Sequence, residues 1–197
     1  ACAWDYNATR YGNRKLTDLY QKHSYPYALI VNINGDRFVD EGADYRNYTY
    51  AKYGREILKQ PQRAAFQLFD QKTVPLQRDE YRIREVTKAV ANTIEELADQ
   101  LGIDRDGLVK TVNEYNAACQ PGNFNPTILD GLHTEGITPA KTNWAQPLDT
   151  PPYYIFPCTT AVLATYCGLR IDEHGRVLNV YGEAIEGLYA AGEVTGG

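Results

Sequence analysis

Methionine is absent from the 197-residue chain. The opening Ala1-Cys2-Ala3-Trp4 has neither the profile of a secretory signal nor the make-up of a transit peptide. A processed chain or a piece of a longer one is therefore expected. A basic surplus is also missing: 20 Lys and Arg against 25 Asp and Glu leave a net charge of -5. The cationic footprint that nucleic acid or an anionic membrane requires is thus lacking, and no nucleic-acid partner is expected. Apolar runs stop far short of the roughly 20 residues that span a bilayer; the longest, around Ala28 to Val31 and Thr159 to Thr165, are strand-sized. Cys2, Cys119, Cys158 and Cys167 show no CxxC spacing and do not pair with the scattered His23, His133 and His174. A metal site has no support, and reduced cysteines in a cytoplasmic protein are the expectation. What is plentiful is tyrosine, at 16 residues. A ring that is apolar along its body and polar at its tip suits a half-buried cleft as well as a core.

Local patterns predict mixed helix and strand. Tyr27 to Val31 and Arg37 to Val39 flank Asn34-Gly35, a hairpin signal. Tyr45 to Leu58 lacks proline and carries Tyr45, Tyr48, Lys52 and Arg55 on one helical face, with Arg46, Tyr50 and Tyr53 on the next. Ala64 to Phe69 reads as a strand. Thr93 with Glu96 makes a capping box ahead of Ile94, Leu97, Ala98 and Leu101; Gly102 ends that helix, and Asp104 starts another along Leu108, Val112, Tyr115 and Cys119. Residues 124–152 have little periodicity and read as a long irregular connection. Leu169 to Asp172 and Arg176 to Leu178 form a second hairpin signal around Gly175. Ile185 to Gly192 reads as a buried strand entering a glycine-rich turn.

The closing run Gly187-Leu188-Tyr189-Ala190-Ala191-Gly192-Glu193-Val194-Thr195-Gly196-Gly197 carries the most specific chemistry. Small residues after a strand admit a ligand close to the backbone, and the carboxylate that follows can accept hydrogen bonds from sugar-like hydroxyls. This run is similar to the closing motif of the flavoprotein subunits of fumarate reductase and succinate dehydrogenase and their soluble relatives. The hairpin from Val31 to Glu41 (VNINGDRFVDE), the helix ending in Tyr115-Asn116 and the strand from Cys167 to Asp172 resemble the same family. Within it, QKHSYP at Gln21 to Pro26, VDEGADYRNYTYAKYG at Val39 to Gly54, RDEYRI at Arg78 to Ile83 and NWAQPLDTPP at Asn143 to Pro152 look most like the tricarballylate dehydrogenase branch, which includes the flavin protein called precorrin-3B synthase.

The resemblance implies an α+β fold. Residues 1–160 would form a substrate-capping domain of β-hairpins and amphipathic helices, and residues 161–197 the return segment of an incomplete FAD-binding domain. It implies hydride exchange between flavin N5 and a carbon of a small polycarboxylate of tricarballylate type. Ala191, Gly192, Glu193 and Thr195 would contact FAD. The implied partners are the remainder of the FAD-binding domain and a membrane-associated electron-transfer protein. The family's proton-transfer arginine maps to Arg46 with a one-residue shift, since a gapless reading puts Tyr45 there. Two roles stay open for Arg46, proton shuttle and carboxylate clamp, because a guanidinium forks onto a carboxylate but is a poor acid. His23 and Thr165 are the substrate-contact candidates, and Lys52 and Arg55 would extend the cationic lining.

The sequence also departs from the family. Gln21 and Ser24 stand where its glutamate and arginine relay lies, and Ala164 stands near its substrate-binding histidine, so fumarate reduction is not expected. No GxGxxG turn occurs, and such a turn is what normally cradles the dinucleotide. The chain alone is therefore expected to be colourless and inactive. Two other readings remain: a cap serving steroid-type ketones, and a non-enzymatic module binding a small ligand or a protein through Tyr45 to Tyr53.

Overall fold

A computed structural model describes residues 2–8, 16, 19–162 and 167–195. Ala164, Thr165, Gly196 and Gly197 lie outside the described residues. The chain divides into two compact units, Ala1–Ala161 and Val162–Gly197.

The first unit is built on an antiparallel sheet whose spine is β5 (Tyr153–Ala161). On one edge of β5 runs β3 (Ala65–Asp70), with Ala65 opposite Cys158 and Asp70 opposite Tyr153, and β2 (Leu29–Val31) continues beyond β3. The other edge is shared end to end by β4 (Ala89–Ala91), opposite Tyr153 to Ile155, and β1 (Cys2–Asp5), opposite Cys158 to Ala161. Successive side chains of a strand face opposite ways, so the apolar run of β3 serves two cores. Leu29, Val31, Phe66, Leu68 and Ile155 pack with residues of α2 (Ile94–Leu101) and α3 (Arg105–Ala118). Ala3, Ile30, Ala65 and Cys158 pack with Tyr53 and Ile57 of α1 (Arg46–Lys59). With a helical layer on each face, all six residues of β3 are buried, at roughly 1.5–3 kcal/mol for each large apolar side chain.

The helices form where the sequence places them. Thr93 Oγ1 accepts from the Glu96 amide at 3.2 Å, and Glu96 Oε2 accepts from the Asn92 amide, one residue earlier than a strict capping box requires. Gly102 closes α2 at φ +67°, and Asp104 Oδ1 accepts from the Gly107 amide to start α3. Leu108, Val112 and Tyr115 are buried as expected, but Ala118 rather than Cys119 completes the stripe. Gly35 is a loop position where only glycine fits. It has φ +79°, and a Cβ there would meet the Leu108 amide nitrogen at 2.3 Å.

Four expectations are corrected. The first hairpin shrinks to a single bridge, Val31 to Arg37, closed by Asn32 and Asp36, because Val39 turns into the α1 core and Glu41 reaches back to the Ile30 amide instead of continuing a ladder. Tyr25 to Tyr27 forms a short 3-10 turn, leaving β2 to begin at Leu29. In the second unit, β6 (Arg176–Leu178) takes β7 (Ala184–Tyr189) as its strand partner and keeps only the Ile171–Val177 bridge to the preceding segment. Finally β7, expected to be buried, is exposed at all six residues, with Ile185, Leu188 and Tyr189 at 41, 44 and 65 %. Two short strands have too little apolar surface to cover one another. No helix of the described residues is long and apolar enough to cross a membrane.

Candidate functional site

One segment, residues 23–27, organises a cleft of about 530 Å³ in the first unit, lined among others by His23, Tyr27, Tyr45, Arg46, Arg78 and Trp144. Its anchoring is polar and local. Tyr25 Oη lies 2.8 Å from Thr49 Oγ1 and donates to the Arg46 carbonyl at 3.2 Å, which fixes the first turn of α1 beside the segment. The Ser24 amide donates to Tyr81 Oη, and Ser24 Oγ accepts from the Arg78 amide at 3.0 Å. Arg46 and Arg78 are thereby brought to one cleft from positions 32 residues apart (78 minus 46).

The cleft has a cationic character and an orphaned imidazole. His23 is 3 % exposed, and neither ring nitrogen has a hydrogen-bond partner among the described residues. Such a group costs on the order of 1–3 kcal/mol when left unsatisfied, so it marks a place where a ligand would be welcome. Burial, followed by the charges of Arg46, Arg78 and Lys22 and opposed by Glu80, lowers the His23 pKa to about 4. The ring is therefore a neutral donor-acceptor at pH 7. The N-cap residue of α1, Tyr45, makes no side-chain capping bond, and the first turn contains no acidic residue. The Tyr48 amide is already bonded to the Tyr45 carbonyl at 2.9 Å, and the positive end of the helix dipole lies at the same cleft as Arg46, Asn47 and Tyr48. Among the described residues the Arg46 guanidinium has no ion-pair partner.

An aromatic wall closes another side. Trp144 is 2 % exposed and sits at φ +56°, a region strained for a bulky residue. The surrounding loop imposes it: Asp130 Oδ1 accepts from the Trp144 amide at 2.9 Å, and Trp144 Nε1 donates to the Asn125 and Ile128 carbonyls. Tyr27 and Tyr45 pack against the indole at 5.8 and 5.9 Å between ring centroids. The long irregular connection thus supplies the wall.

Of the residues singled out from sequence, His23 and Arg46 meet in this cleft. Thr165 lies outside the described residues. Lys52 and Arg55 are exposed and do not line the cleft. His133 is a partly exposed side chain in the irregular connection, and His174 is an exposed one in a turn. Ala191, Gly192, Glu193 and Thr195 stand together in the second unit. Gly192 takes φ +76° with open space where a Cβ would be, the short turn Gly192–Thr195 is closed by Thr195 Oγ1 to the Gly192 carbonyl, and Glu193 is exposed. Arg78 and Trp144 were missed as site residues. Both sit inside strings that resemble the family, but no spacing ties them to His23.

The low pKa of His23 sets a pH dependence. The unfolded chain binds a proton near pH 6.5 and the folded chain near 4, so stability is full above 6.5 and is lost as pH falls through that window. The loss has a slope of at most about 1.4 kcal/mol per pH unit for one proton. Urea midpoints between pH 7 and 4.5 should fall less steeply in His23→Gln than in wild type; parallel curves would remove His23 as the titrating group.

The description "FAD binding domain" matches residues 19–197. The chain is 33 % identical over 177 residues to an NADH:acrylate oxidoreductase of Vibrio harveyi, covering 86 % of this chain and 16 % of that protein. It is 31 % identical over 189 residues to a 3-oxosteroid 1-dehydrogenase of Mycobacterium tuberculosis (strain ATCC 25618 / H37Rv), covering 86 % and 33 %. Among solved structures, the open conformation of a flavocytochrome c3 fumarate reductase superimposes with a TM-score of 0.64 at 28 % identity, over 89 % of this chain and 29 % of that one. The chain spans a third or less of the length of each.

Proposed function

Because the chain belongs to the FAD binding domain family, we propose that it is the substrate-facing cap and return segment of an FAD-dependent oxidoreductase whose cleft receives a small polycarboxylate of tricarballylate type. The observation that carries this reading is the convergence on one cleft of Arg46, the uncapped start of α1 and a buried His23 with no partner. Charge-assisted bonds to carboxylates are among the strongest a site can offer.

FAD, when held by the whole protein, supplies a two-electron acceptor or donor. The exposed turn at Ala191, Gly192, Glu193 and Thr195 fits one flank of such a group, since an open glycine backbone and an exposed carboxylate can meet hydroxyls; the main cradle is not encoded in these residues. Within the cleft, Arg46 forks onto a carboxylate or moves a proton at the carbon beside the one that is oxidised. Neutral His23 satisfies one of its nitrogens by donating to a substrate oxygen. Trp144, Tyr27 and Tyr45 exclude water from one side. The partners on this reading are the remainder of the FAD-binding domain and an electron-transfer protein, in a cytoplasmic setting.

The aromatic wall favours a second reading, in which the cleft accepts a ring ketone of steroid type. Mixing the complete, flavin-loaded protein anaerobically with tricarballylate should bleach the flavin absorption, while a 3-oxosteroid leaves it unchanged. The opposite pattern would transfer the cleft to the second reading.

A further inference from the structure

The side chain that sequence comparison did not single out, Arg78, lines the same cleft as Arg46 and His23 but arrives on a different element. Its position is constrained twice. The Ser24 hydroxyl holds its backbone amide at 3.0 Å, next to His23 in sequence. Glu80, with a side chain only 7 % exposed, accepts from Arg78 Nε at 2.7 Å. That bond uses one donor of the guanidinium and leaves both Nη groups without a protein partner among the described residues. Glu80 is itself pinned, because its carbonyl accepts from the buried Lys22 ammonium at 3.3 Å. The Arg78 side chain is 46 % exposed, so it is open to a ligand.

An arginine oriented through Nε by a nearly buried carboxylate and open at its Nη pair is arranged as a fork for a planar anion. Arg46 provides a second fork with no ion-pair partner, and His23 lies in the same lining, feeling the charge of both. Two forks in one cleft match two carboxylates of a single ligand, where one fork would suffice for a monocarboxylate. We infer that Arg78, positioned by Glu80, is the second carboxylate-binding residue of this cleft and sets its preference for di- and tricarboxylates over monocarboxylates. This rests on the polycarboxylate reading above.

The test uses the complete flavin-loaded protein and follows perturbation of the flavin spectrum during titration with tricarballylate, succinate and butyrate. Wild type should bind the first two more tightly than butyrate. Arg78→Ala should weaken tricarballylate and succinate by about 10- to 100-fold and leave butyrate within about twofold. Arg78→Lys should recover only part of the loss, since an ammonium keeps the charge and loses the fork. Glu80→Gln should weaken the polycarboxylates by a smaller factor with the flavin content unchanged. Equal weakening of all three ligands by Arg78→Ala, or none, overturns the inference while the reading of the cleft stands, provided Arg46→Ala still weakens them. If wild type responds to no carboxylate at all, the reading itself fails and this inference with it.

Discussion

Alanine at position 46 in the complete, flavin-loaded protein should lower kcat/KM by at least about 10-fold while the flavin stays bound. Arg46 is the first residue of α1, and its backbone carbonyl is already tied to Tyr25 Oη. Removing its side chain therefore leaves the turn in place. What is lost depends on which of the two roles it plays. As a carboxylate clamp, Arg46 contributes a charge-assisted contact, and KM should rise about 10- to 100-fold with kcat little changed. As the proton-transfer group, it should instead cost kcat about 10²- to 10⁴-fold at nearly constant KM. Arg46→Lys sharpens the division: an ammonium can still move a proton, but it cannot fork. Steady-state kinetics with tricarballylate reads both parameters. Unchanged kcat and KM in Arg46→Ala would remove the residue from the site, and loss of flavin would show that its role is structural.

The second large effect lies away from the cleft, in the charge cluster that holds the 28–41 segment. Glu41 is fully buried. Its Oε1 accepts from the Ile30 amide at 2.8 Å and from Arg37 Nε at 3.2 Å, and its Oε2 from Arg37 Nη2 at 2.6 Å. Arg37 also reaches the Pro139 carbonyl, and the buried Lys141 ammonium donates to the Ala28 carbonyl at 2.7 Å. Burial lowers the pKa of Lys141 to about 8 even though Glu41 raises it. Glu41 is thus the counter-charge to two buried cations. Truncating one member of such a cluster leaves uncompensated charge, and Glu41→Ala should destabilise the first unit by about 3–5 kcal/mol, a fall of roughly 6–20 °C in Tm for a chain of this size. Both tryptophans, Trp4 and Trp144, belong to that unit, so fluorescence follows its unfolding. Glu41→Gln should keep an acceptor for the Ile30 amide and still lose most of the stability, because the missing charge matters more than the missing hydrogen bond. A Tm within about 2 °C of wild type in both variants would refute this account, since it corresponds to less than about 1 kcal/mol.

The helices were legible in the sequence because their signals are local. Thr93, Gly102 and Asp104 cap neighbouring amides and carbonyls, and the spacing of Leu108, Val112 and Tyr115 reports one helical face whatever it packs against. The closing motif was equally legible as a string, and so was the membership it implies. His23 and Arg46 were found by their place in such strings, and tertiary structure put them in one cleft. Sequence could not reveal β1 and β4 sharing an edge of β5, the exposure of β7, the strained Trp144 wall or the arrival of Arg78 beside His23. Each of these depends on which backbone and side-chain groups meet across tens of residues. Ser24 Oγ selects the Arg78 amide, Asp130 selects that of Trp144, and Glu41 takes the Ile30 amide from a would-be hairpin. Periodicity and capping are properties of a few adjacent residues, whereas these choices follow from satisfying buried polar groups over the whole packed unit, and only folding compares those alternatives.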